Sequence, residues 1–130
     1  MASPPAIVAE NLTLREAQDQ VTDALTMEDS NAAAVGLIIK SLVGSSATVR
    51  VSLEEGNELD NWKTVGPDPL ITGTSVGASV IIVGPIPSPS PSQVNLALGS
   101  RFLRLRVNLS VSTGTGAAVV RTGAVRGFFS

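Results

Sequence analysis

The densest group of side chains able to do acid–base or metal chemistry here is Glu54, Glu55, Glu58 and Asp60, four carboxylates within one short stretch. Paired carboxylates can share the roles of general acid and general base, and several oxygen ligands in one loop can hold calcium. The calcium reading fails on spacing, because these acids do not fall at the alternating positions of an EF-hand loop. Acid–base chemistry is little better placed: all four acids sit in one turn, and nothing in the sequence sets the distance between them. The chain has no His, no Cys and no Tyr. The commonest general base, the thiolate nucleophile and the nitrogen and sulfur metal ligands are therefore missing together. Gly114-Thr115-Gly116 lacks the third glycine of a dinucleotide fingerprint, follows a strand with one wet face and opens no helix. The sequence thus nominates no catalytic residue, no metal site and no cofactor, and an enzyme is disfavoured. The stretch 54–60 reads as a polar, solvated turn.

What remains is binding. Trp62, the only Trp, follows the acidic turn and is either a core anchor or a stacking platform for a ligand. Charge is split along the chain. All 11 acidic residues lie between Glu10 and Asp68, together with four basic ones, whereas five Arg and no acid follow Asp68. Either the two halves neutralise each other inside one fold, or a basic face of one subunit meets an acidic face of another. Nucleic acid is a poor third partner. The net charge is −2, and the late Arg residues lack the Lys and aromatic company of a nucleic-acid patch.

The elements that must position these residues read as strands. From Leu103 to Val111 the odd positions are Leu, Leu, Val, Leu and Val, while Phe102, Arg104, Arg106, Asn108 and Ser110 occupy the even ones. This period-2 pattern predicts one buried face and one wet face. Thr48 to Glu55 alternates in the same way. Ala33 to Val43 is apolar on both faces, which predicts a strand covered on both sides. Gly44-Ser45-Ser46 between these two strands suggests a hairpin. Residues 13–28 are ambiguous: Thr13-Leu14-Arg15-Glu16 resembles a capping box, yet 21–28 alternates like a strand. Further strands are expected at 70–74, at 78–83 and over 117–129, the last interrupted near Gly123. Pro85, Pro87, Pro89 and Pro91 make 84–92 a stiff loop. Turn signals every ~8–12 residues and no βαβ unit predict an all-β domain of about eight strands, a single antiparallel β-sandwich or jelly-roll-like barrel. Residues 1–10 read as an extended arm and 11–130 as the sandwich. No secretion signal and no run long enough to span a membrane is visible.

The run Ala47 to Val65, in which Val49-Arg50-Val51-Ser52-Leu53 leads through Gly56 and Asn57 to Asn61-Trp62, resembles a pattern in small bacteriophage virion proteins. There a late strand of the type Phe102-Leu103-Arg104-Leu105-Arg106-Val107 follows. The resemblance spans about residues 20 to 130. It implies a virion structural protein, a capsid decoration (cement) protein or tail component, assembled in the host cytoplasm. It also implies a homo-oligomer, with a trimer favoured, bound to other virion proteins such as a major capsid protein. The expected contact residues are Phe102, Arg104, Arg106, Arg121, Arg126, Phe128 and Phe129. Similar motifs occur in carbohydrate-binding and adhesive sandwiches, which makes a sugar module using Trp62 the alternative. Those families carry Ser or Asp where this chain has Glu55-Gly56-Asn57-Glu58, so no sugar-binding residue is transferred.

Overall fold

The computed structural model describes residues 6–16 and 18–128. Eleven strands build two sheets and no helix forms among the described residues. The strands are β1 (Ala6–Arg15), β2 (Asp19–Val21), β3 (Leu25–Thr26), β4 (Ala32–Val43), β5 (Thr48–Glu58), β6 (Asn61–Val65), β7 (Ile71–Gly73), β8 (Gly77–Gly84), β9 (Gln93–Asn95), β10 (Phe102–Ser110) and β11 (Ala117–Gly127). One sheet has the order β1-β11-β4-β8-β9. The other has the order β2-β10-β5-β6, with β3 also pairing β10 and β7 also pairing β5. All ladders are antiparallel except β8–β9. The two sheets pack face to face as the β-sandwich that the alternation predicts.

The core is the set of positions that the pleat turns inward. Leu103, Leu105, Val107 and Leu109 of β10 face the same side as Val49, Val51 and Leu53 of β5, and all seven are buried. Opposite them stand Leu14 of β1, Val35, Leu37 and Ile39 of β4, and Ala118, Val120 and Ala124 of β11. Each buried Leu or Val contributes about 1.5–3 kcal/mol of transfer free energy. Thr122 is the one fully buried polar side chain in the inward row of β11, and its hydroxyl donates to the Gly36 carbonyl at 2.7 Å. Arg126 closes the sandwich at one end. It reaches from β11 across to the Thr26 carbonyl and to Glu28, at 3.0 Å, beside the other sheet.

Four expectations change. Residues 6–10 are not an arm but the first half of β1, paired with β11 from Ala6↔Val125 to Ala9↔Thr122. Their pattern was masked by a bulge: the register shifts between Ala9 and Leu12, where Asn11 adopts φ 50. The capping box is strand as well, since Thr13 and Leu14 pair Val119 and Ala118. The Gly44-Ser45-Ser46 turn does not make a hairpin, because β4 and β5 belong to opposite sheets. Gly44, at φ 137 and with Val111 pressed against it, carries the chain over the end of the sandwich. A side chain there would meet Val111 at 2.7 Å. Finally, β11 runs unbroken through Gly123. Residues 1–5 and Phe129, the latter an expected contact residue, lie outside the described residues.

Candidate functional site

The wet face of β10 is the sequence's first candidate, and the structure fills it with partners from the acidic half of the chain. Arg104 stands opposite Glu54 in the ladder and donates from Nε to Oε1 at 2.7 Å. Arg106 lies 3.6 Å from the other Glu54 oxygen, 3.7 Å from Asp68 and 3.9 Å from Asp19. Glu54 is itself buried. Ser52 donates to Asp68 at 2.5 Å, which fixes that carboxylate beside Arg106. The network therefore ties β2, β5, β10 and the β6–β7 loop together on one surface. Charged groups held this way are spent on one another, and their desolvation is offset by geometry rather than by an outside partner. Arg121 pairs Glu10 at 3.0 Å and Arg126 pairs Glu28. Four of the five late Arg residues thus neutralise acids of this chain, the first of the two readings of the charge split. Arg101 instead lies over the Phe102 ring, 5.2 Å from its centroid. Phe102 is half-buried and Phe128 is exposed.

Trp62 joins the same surface. Two residues of β5, Gly56 and Asn57, stand against the single Trp62 of β6, because the register slips between Glu55↔Lys63 and Glu58↔Asn61. This bulge needs glycine: a Cβ on Gly56 would lie 2.4 Å from the Asn61 carbonyl. The indole N–H donates to the Leu59 carbonyl at 2.9 Å, and the Arg104 guanidinium covers one ring face at 4.4 Å from the centroid. The ring is half-buried. It is neither a core residue nor a free platform.

The four carboxylates of the acidic stretch do not converge. Glu54 faces the Arg network. Glu55 turns to the opposite side of the strand, buried, with one oxygen lacking a hydrogen-bond partner. Glu58 and Asp60 are exposed about the β5–β6 turn. No group of three or more acidic side chains among the described residues is arranged to hold a metal ion. No helix among them is long and apolar enough to cross a membrane.

The residues that sequence reasoning missed lie on the outer face of the five-stranded sheet. The registers align Val8, Gly123, Gly36 and Val80 in one row across β1, β11, β4 and β8. The next row is Ala6, Val125, Ala34 and Ile82, and on the other side Arg121, Ile38 and Ala78 follow. The two neighbouring glycines make a shallow trough between valines that are 52% and 58% exposed. Val125 and Ile38 are exposed beside it. The signal was present in the sequence: Ala33 to Val43 is apolar on both faces. The described residues cover only one of them.

Comparison with known proteins returned no matching family model, no matching curated protein and no matching solved structure.

Proposed function

We propose that this protein is a non-enzymatic structural component of a bacteriophage virion, of the capsid-decoration type, that oligomerises and binds a protein shell. The binding surface is the outer face of the five-stranded sheet, not the Arg face of β10. One observation carries this: β4 has the composition of a strand buried on both sides, yet no element among the described residues covers Ala34, Gly36 and Ile38. Cementing then works by adding apolar area across shell subunits, at ~25 cal/mol per Å² gross, so that many weak copies act together. The divergence of Glu54, Glu55, Glu58 and Asp60 supports a non-catalytic role. The virion assignment leans on the likeness of residues 47–65 and 102–107 to small phage proteins.

Light scattering after gel filtration, followed by co-sedimentation with phage capsids, tests the reading. Assembly in solution and pelleting with the capsids are expected. A strict monomer that stays in the supernatant overturns it. A second reading, a carbohydrate-binding sandwich, draws on Trp62, whose half-exposed ring lies on the same surface as Phe102. Glycan-array signal lost in Trp62→Ala is the result that would favour it.

A further inference from the structure

We propose that β8 pairs edge to edge with β8 of a second copy of this chain, antiparallel, about a two-fold axis at Ser79. This names the partner for the oligomer proposed above and rests on that reading. On one side β8 is laddered to β4 from Val83↔Ala33 to Gly77↔Ile39. On the other side β9 reaches only Ile82, Val83 and Gly84. The last bond on that flank runs from the Ile82 N–H to the Ser92 carbonyl at 2.9 Å. Backbone groups along a strand change sides with each residue. The N–H and C=O of Val80 and Ala78 therefore point the same way as those of Ile82, and no strand among the described residues lies beside them. Two donors and two acceptors stand open in a row.

A second copy satisfies all four. With Ser79 on the axis, Ala78 of each chain faces Val80 of the other. Both residues turn their backbone groups into the seam, so the two pairs exchange four hydrogen bonds. The length also fits. Gly77, at φ 151, leads the chain out of the sheet at one end, and Ser92 caps the edge at the other. The segment Gly77-Ala78-Ser79-Val80-Ile81 carries no charge, no proline and no bulge. Those are the devices by which edge strands refuse partners. A self-pairing edge must lack charge in particular, since any charge would be duplicated by the two-fold axis and the two copies held close together in the seam.

The opposite edge of the sheet has the charge and the bulge that β8 lacks. β1 bulges at Asn11, carries Glu10 and Arg15, and has its Thr13 carbonyl occupied by the Gln20 amide at 2.7 Å. Pairing at β8 alone gives a closed dimer rather than the expected trimer. The two five-stranded sheets become one, and the row ending at Val80 continues into its copy.

The chain has no cysteine, so Ser79→Cys introduces its sole thiol. Ser79 is exposed, and across the axis it would face itself as a non-hydrogen-bonded pair with Cα atoms about 4.5 Å apart, within disulfide reach. Diamide oxidation of the full chain is expected to give a dimer band that dithiothreitol reverses. Thr13→Cys on the β1 edge should give none. Val80→Pro removes an N–H that only the second copy would use, and should reduce crosslinking of Ser79→Cys at least tenfold. Circular dichroism checks its fold, and Val80→Lys, which lines the seam with two ammonium groups, serves the same purpose if the proline variant unfolds. Absence of crosslinking in a chain that is still oligomeric by light scattering overturns the β8 contact and leaves the assembly reading standing. A monomer by both measures overturns the two together.

Discussion

The two outer faces of this sandwich are built on opposite principles. The face over β10 and β5 is charged and self-sufficient: Arg104 and Arg106 close on Glu54, Asp19 and Asp68, and Arg104 stacks on Trp62. The face over β4 and β11 is apolar and incomplete, with a glycine floor between exposed valines. A charged surface draws the eye in a sequence, yet here its charges are already matched. The uncovered apolar area lies on the other face, beside the Arg121–Glu10 and Lys40–Glu10 pairs. Ion pairs that are half-buried and mutually bonded hold a fold together; uncovered apolar area is what an assembly can use.

Substitutions can break that contrast in order of expected size. Gly123→Ala should be the most damaging, because the new Cβ would sit 2.3 Å from the Ile7 carbonyl and β1 would have to lift away. A loss of about 3 kcal/mol in urea unfolding is expected, against less than about 0.5 for Gly127→Ala, where nothing lies within 4 Å. Glu54→Gln strips the shared carboxylate from two Arg residues and should destabilise by about 2 kcal/mol, with no loss of assembly. Unchanged stability together with lost assembly would return the Arg face to the role of contact surface. Gly36→Val sharpens the comparison from the other side. Its Cβ meets only the Ser79 carbonyl, at 3.8 Å, so the monomer should gain about 0.5 kcal/mol from strand propensity. Filling the trough should nonetheless weaken capsid pelleting. Arg101→Ala, which removes only a stack on Phe102, should shift stability by less than about 1 kcal/mol.

The core strands were legible because their environment is one-sided. The alternation in β10 and β5 marked Leu103 to Leu109 and Val49 to Leu53 as inward, and each is buried. Other features depend on partners far away in the chain. Whether Gly44-Ser45-Ser46 makes a hairpin or crosses between sheets is decided by β10 and β11, which claim β5 and β4 respectively. The apolar-polar pattern of β1 is broken by a single bulged residue, Asn11, and so was lost in the arm. At the candidate site the Arg residues were visible and their answers were not, since Arg104 and Glu54 are separated by 50 positions. Charge bookkeeping allowed both an internal and an external solution. Only the register of β10 on β5 and β2 chooses between them.

The placement of β10 and β11 governs how the chain comes to be folded. They follow every other described strand in the sequence, yet each lies inside its sheet: β11 between β1 and β4, β10 between β5 and the pair β2 and β3. β1, β2 and β3 have no other ladder partner among the described residues. β1, β2 and β3 must therefore wait, unpaired and partly apolar, until β10 and β11, far later in the chain, have followed. Folding should be a single late step on the millisecond-to-second scale typical of non-local β pairing, and chaperones would meet the chain before that step.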